Sequence, residues 1–422
     1  MQQDWLRAGV VAGFVGWLTI FPLSGGAGAA DLLWFLGPHT LGLFLIALFF
    51  DHRLFHQARR IGALGALIIG AVFVPLPPAA APWVLALLGV LTAPVSVQIG
   101  VVLRAANRRA LTAAAGLAAG NLLALLVSLS SLEEALIFPL VSALLLTSLL
   151  MTGSGLRRNS NPMLVLQKFL PFIFFFQIVS GLMYGTLMPA YLGLGKPPGL
   201  ELAAYTAGAL VAVWVFSRSQ GLVLLAAVTA ALTGYALWLV LPEAEGIFLA
   251  MMWVMLAAGL MDLFVLALVA SLPSQLKAYG YGVGVLCAGI IAGRWVAMLA
   301  ADHAGVISFF GLLILNVAVI SLFIPWQSIS SRTATLDRSA GHDAGASPDS
   351  EIDIEILARL SDRENAVLRL ALTDMTYRDI AQSLQISESS VKTYMQRIFR
   401  KTGIVRRHQL KQLTQPGSGQ GR

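Results

Sequence analysis

The feature that most constrains this chain is a succession of twelve apolar runs of membrane-spanning length, at about 5–23, 31–50, 61–76, 82–103, 110–130, 134–152, 169–190, 200–216, 220–241, 246–271, 281–301 and 306–326. Inside hydrocarbon every backbone polar group must find its partner within the chain, and a run of about twenty apolar residues does so as a helix. Composition agrees: of 422 residues, 57% are hydrophobic and only 12% charged, where a soluble domain has about a quarter charged. Mean hydropathy is +0.79. The expected fold class is therefore all-α: a polytopic transmembrane helix bundle of about 12 spans, divisible as 6+6, followed by a small four-helix domain.

Loop charge sets the expected orientation. With the N-terminus cytoplasmic, the inner loops hold Arg53, Arg59, Arg60, Arg104, Arg108, Arg109, Arg157, Arg158, Lys168, Arg218 and Lys277, and the outer loops hold only Lys196. Eleven against one is a positive-inside pattern. An even span count returns the C-terminus to the same side, so the expectation is a multi-pass protein of the bacterial inner membrane with both termini cytoplasmic. The stretch "SGGAGAA" after Leu23 offers small residues for signal cleavage, but Arg7 is the sole basic residue before it, which favours a retained span. Cys287, the single cysteine, sits in an apolar run and reads as a small buried hydrophobe.

The longest inner connection, "SGLRRNSNPMLVLQK", separates spans six and seven, and "DHRLFHQARR" follows span two. Two six-helix halves so arranged resemble the major facilitator superfamily. The second segment is similar to that family's Asp- and Arg-rich loop through Asp51, Arg53, Arg59 and Arg60, without the family's glycines; the same charges also read as ordinary positive-inside loop charge.

Ionisable groups at membrane depth are few. Asp262 in "GLMDLFVL" and Arg294 in "IAGRWVAM" lie on neighbouring spans, about nine and thirteen residues from their shared cytoplasmic ends. At ~1.5 Å per residue they differ by only ~6 Å in depth. The expectation is an ion pair facing the bundle interior, a candidate sensor element or a packing device. His39, Gln98, Asn121, Gln177, Tyr184 and Asn316 read mostly as helix-packing hydrogen bonders. The glycines of "YGYGVGVLCAG" lie within a span, where small residues serve helix packing. Trp214, Trp238 and Trp253 suit either an apolar cavity or the membrane interface.

After Trp326 the chain turns to "SISSRTATLDRSAGHDAGASPDSE", a flexible tether whose ~25 residues would span of order 25–30 Å. From about Ile354 the pattern is helical and capped. "LSDRENAVLRLAL" has Ser361 and Glu364 as a capping box before apolar Val367, Leu368, Leu370 and Ala371. "TYRDIAQSLQI" has Thr376 with Asp379, burying Ile380, Ala381 and Leu384. "SESSVKTYMQRIFRKTG" has Ser387 as cap, Val391, Met395, Ile398 and Thr402 along one stripe, and Gly403 as stop. "VRRHQLKQL" makes a fourth helix. Short helices joined by a tight turn describe a helix-turn-helix. If the stripe faces the core, Lys392, Gln396 and Arg400 share an exposed face beside Thr393 and Arg397. Between Ile356 and Leu413 eleven Lys or Arg outnumber five Asp or Glu, the electrostatic footprint of a polyanion binder.

Across some 50 residues, Leu-x-x-Arg-Glu, Val-Leu-x-Leu, Ile-Ala-x-x-Leu, Ile-Ser-x-x-x-Val-Lys and Ile-x-x-Lys-x-Gly resemble the LuxR-type helix-turn-helix of bacterial transcription regulators. The resemblance implies binding of double-stranded promoter DNA as a homodimer on paired half-sites. It implies base reading by Lys392, Thr393 and Gln396, and phosphate contacts by Ser389, Arg397, Arg400, Lys401, Arg406 and Arg407. Asp374 stands where the family has glycine, and Tyr394 where histidine is common.

The expected organisation is a transmembrane sensor domain over 1–326, a linker over 327–353, a DNA-binding domain over 354–415 and a disordered tail over 416–422. Its partners would be DNA, the lipid bilayer and an unknown small-molecule ligand. No metal-ligand cluster, nucleophile–base constellation or phosphate loop stands out in the sequence, so neither enzymatic activity nor a cofactor is expected. The expected function is a membrane-anchored transcriptional regulator. The alternative is a major-facilitator-like small-molecule transporter carrying a regulatory DNA-binding tail.

Overall fold

The computed structural model describes residues 2–22, 32–74, 77–151, 163–197, 199–272, 274–299, 304–323, 362–372, 375–384 and 386–402. The chain divides into two compact units, Met1–Ser330 and Ser331–Arg422. Among the described residues every regular element is helical. The expected linker, the fourth helix of the small domain and the tail lie outside the described residues.

Among its described residues the first unit has, besides the short helical turns Pro78–Ala80 and Met163–Leu166, twelve helical rods, α1 Gln2–Ile20, α2 Leu33–Phe49, α3 His52–Val72, α4 Ala81–Arg104, α5 Arg109–Ser128, α6 Glu134–Leu150, α7 Leu170–Leu192, α8 Leu200–Phe216, α9 Gln220–Val240, α10 Ala244–Ser271, α11 Gln275–Leu299 and α12 Ala304–Phe323. Seven of them, α4, α5, α7, α9, α10, α11 and α12, are long and apolar enough to cross a membrane, while α2, α6 and α8 are shorter apolar helices. Each expected run falls on one rod. The limits differ most at α3, which begins at His52 rather than near 61. Asp51 caps it, its carboxylate accepting from Leu54 N at 2.8 Å. The basic segment after span two is thus helix, with Arg53 and Arg60 exposed and Arg59 buried.

Helix pairing repeats between halves. In the first half α1 packs on α5, α2 on α4, and α3 on α4 and α6; in the second, α7 packs on α11, α8 on α10, and α9 on α10 and α12. The halves meet through α2 with α11 and α5 with α8, again equivalent pairs. Lacking a hydrophobic drive between helices in lipid, such crossings depend on small residues that let backbones approach. Gly208 of α8 and Gly259 of α10 face each other's helices so closely that a Cβ on either would meet a backbone carbonyl, of Leu256 or Tyr205. Gly181 of α7 and Gly293 of α11 are the counterparts at the other crossing. In α11, Gly280 packs against α2 and Gly289 against α7, as expected of packing glycines.

Among its described residues the second unit has α13 Asp362–Leu372, α14 Tyr377–Leu384 and α15 Glu388–Thr402. Val367, Leu368, Ala371, Ile380, Ala381, Val391, Met395 and Ile398 form its core. Thr376 and Asp379 cap α14 reciprocally: Asp379 N donates to Thr376 Oγ1 at 3.2 Å and Thr376 N to Asp379 Oδ2 at 3.3 Å. Ser387 Oγ accepts from Ser390 N at 3.1 Å and starts α15. Ser361 and Gly403 lie outside the described residues.

Candidate functional site

The small unit presents α15 as its basic face. With Val391, Met395 and Ile398 fully buried, the helical period turns Lys392, Thr393, Gln396, Arg397 and Arg400 outward, and all five are exposed. Lys392 Nζ lies 3.1 Å from Glu388 Oε1 one turn back, an exposed pair that can open when DNA offers a stronger acceptor. Thr393 Oγ1 donates to Ser389 O at 3.0 Å, and Ser389 is itself exposed near the helix start. Lys401, expected near a phosphate, has its Nζ 2.6 Å from Glu364 Oε2, and the Glu364 side chain is only 4% exposed. That ion pair joins α15 to α13, so Lys401 serves the fold of this unit first. Arg406 and Arg407 lie outside the described residues.

The membrane unit encloses a cavity of about 1140 Å³ lined by helices of both halves. Its walls are mostly Leu, Ile, Val and Phe. Its lining reaches the helix ends at Ile20, Leu32, Ser128, Glu134, Leu192 and Gly199, but no further than Ile99 on α4 and Leu266 on α10. Beyond those points polar clamps close the other end. Arg104 of α4 donates to Leu272 O just past α10, and to Ser271 O at 3.3 Å. Arg59 donates to Ser148 O and Met151 O at 3.3 Å each, at the end of α6, and Gln98 Nε2 to Met151 O at 2.8 Å. Cations and amide donors on helix C-terminal carbonyls satisfy groups that the helix leaves open.

Asp262 and Arg294 both line this cavity, yet they do not form the expected ion pair. Asp262 Oδ2 accepts from Tyr205 Oη at 2.8 Å and Oδ1 from Gln177 Nε2 at 3.3 Å. Arg294 Nη1 donates to Tyr184 O at 3.3 Å. A π-helical turn, Met183–Leu187, carries that carbonyl within α7; the extra residue of such a turn releases carbonyls from the helical ladder. Neutral donors on α7 and α8 therefore hold the carboxylate.

The other polar groups divide. His39 Nδ1 lies 3.0 Å from Gly89 O, whereas Asn121 and Asn316 bond carbonyls of their own helices, Leu117 O and Leu312 O. Tyr205 and Glu201, also in the lining, were not anticipated. A tyrosine inside an apolar span was the available signal for the first, and a carboxylate at the start of an apolar run for the second. Trp214 and Trp253 face outward while Trp238 is buried beside Tyr235.

A bundle of two equivalent six-helix halves around a cavity, and a helix-turn-helix with a basic third helix, define a membrane protein that carries a DNA-binding domain. Residues 358–414 match the family described as "GerE: Bacterial regulatory proteins, luxR family". For the membrane unit, the xylose:proton symporter XylE bound to 6-bromo-6-deoxy-D-glucose is similar with TM-score 0.56 and 12% identity, over 77% of this chain and 93% of that one. The human organic anion transporter MFSD10 gives TM-score 0.52 and 15% identity over 75% and 97%. The E. coli fucose:proton symporter FucP gives 0.50 and 12% over 76% and 96%. No curated protein matches the chain. The chain thus joins a LuxR-type DNA-binding domain to a membrane domain of the major facilitator fold.

Proposed function

We propose that this chain is a membrane-anchored transcriptional regulator in which occupancy of the membrane cavity controls DNA binding by α15. The observation that carries the reading is the covalent union of a LuxR-type domain with a helix bundle whose cavity is shared by both halves. A ligand held between two halves can favour one arrangement of them over another, and only such differential affinity shifts an equilibrium. The LuxR-type domain acts as a homodimer on paired half-sites, and tethering to the bilayer raises its local concentration. The eleven-to-one loop charge supports cytoplasmic termini in a bacterial inner membrane. With that orientation the cavity opens to the outer side and the Arg104 clamp lies inward.

On DNA, Lys392, Thr393 and Gln396 read bases, and Ser389, Arg397, Arg400, Arg406 and Arg407 contact phosphates, with Lys401 contributing charge beside them. The test is a titration of the full chain in nanodiscs against the DNA upstream of its own and neighbouring genes at two salt concentrations. Sequence-preferring, salt-sensitive binding that loses its preference in Lys392→Ala or Gln396→Ala supports the regulator; no binding at low salt by folded protein removes it. A second reading, a transporter with a regulatory tail, draws on the fold shared with symporters. Uptake into proteoliposomes separates the two.

A further inference from the structure

We infer that the membrane cavity selects a small, mostly apolar molecule carrying a single positive charge, held electrostatically by Asp262 and Glu201. The inference rests on the cavity being a ligand site, as proposed above, and adds the ligand's chemical class.

Three observations converge on it. Among the described lining residues the carboxyl side chains Glu134, Glu201 and Asp262 outnumber the guanidinium of Arg294, an excess of acidic groups in a low-dielectric enclosure where fields act strongly. Asp262 takes both its hydrogen bonds from uncharged donors, Tyr205 and Gln177. These orient the carboxylate without neutralising it. Glu201 is 7% exposed and lines the same cavity, and the side chain beside its carboxylate, Tyr191, is likewise uncharged; a carboxylate so buried is costly unless a counter-charge completes it.

The rest of the lining narrows the class. Phe14, Phe35, Phe138, Tyr184 and Tyr205 supply aromatic faces that attract cations as well as apolar bodies. Leu, Ile and Val make up much of the lining, with His39, Asn121 and Tyr279 among the fewer neutral hydrogen-bonding groups, a surface that favours a mostly apolar body over a polyhydroxylated one. An anion would meet Asp262 and Glu201 on the wall against the guanidinium of Arg294. The volume of about 1140 Å³ admits a drug-sized guest.

The test uses the full chain in phosphatidylcholine nanodiscs, with empty discs to subtract lipid partition, and three probes of similar bulk: tetraphenylphosphonium, tetraphenylborate and neutral triphenylphosphine oxide. Equilibrium dialysis should give saturable binding of the phosphonium, tighter than the neutral probe by about tenfold or more, and none of the borate. Asp262→Asn should weaken the phosphonium about tenfold while leaving the neutral probe within about threefold, and Asp262→Glu should keep the preference. Glu201→Gln, away from the Tyr205 hydrogen bond, gives an independent reading in the same direction should Asp262→Asn fail to fold. If the neutral probe or the borate binds as tightly as the phosphonium, or the carboxylate variants leave the ratio unchanged, the charge preference is overturned and the cavity remains a ligand site. Absence of saturable binding by all three overturns both.

Discussion

Lys401 and Arg400 are adjacent on α15, yet the structure gives them different work. Lys401 meets the nearly buried Glu364 at 2.6 Å, whereas Arg400 is exposed. Removing Lys401 takes the counter-charge from a nearly buried carboxylate, so Lys401→Met should destabilise the domain by about 1–2 kcal/mol in chemical denaturation, discounted for the lysine's partial exposure. Arg400→Ala should stay within about 0.5 kcal/mol of the wild type in the same measurement. It should instead reduce the salt dependence of DNA binding by about one unit of slope, because one phosphate contact is lost. Lys392→Ala should cost about 1–3 kcal/mol on the preferred DNA sequence and much less on a scrambled one, measured by competition binding. Equal losses on both sequences would make Lys392 a phosphate contact.

Among elements, α8 and α10 cross where Gly208 and Gly259 remove side chains, and the same crossing brings Tyr205 to Asp262. A valine at position 259 would drive its Cβ into the Tyr205 carbonyl. Gly259→Val should therefore cost about 1–3 kcal/mol, read as a lowered melting temperature of the purified protein, and should weaken ligand binding by moving Tyr205. An unchanged melting temperature would mean that the helices have room to separate. In the small unit, the Thr376 hydroxyl and the Asp379 carboxylate close the start of α14. Thr376→Ala should cost about 0.5–2 kcal/mol in the same denaturation experiment.

At the level of the whole molecule, topology can be tested because Cys287 is the single cysteine and is buried. Lys196→Cys should react with a membrane-impermeant maleimide in intact cells, whereas Arg53→Cys should react only after the cells are opened; the reverse pattern would invert the orientation. Twelve rods, their order and the caps of α14 and α15 were legible in the sequence, because each depends on local composition and on hydrogen bonds spanning three or four residues. The exposed face of α15 was legible too, since Val391, Met395 and Ile398 fix which side of the helix is buried. What local pattern does not contain is which distant groups meet. Depth along two spans placed Asp262 near Arg294, but rotation about each helix axis is set by packing, and it turned Asp262 to Tyr205 and Gln177. Arg59 read as loop charge and became a clamp on the end of α6, because Asp51 started its helix early. The sequence by itself determined the elements, their chemistry and the exposed basic face of α15; only the tertiary structure decided the cavity and which side chains line it, because those arise where helices remote in the chain bring their side chains together.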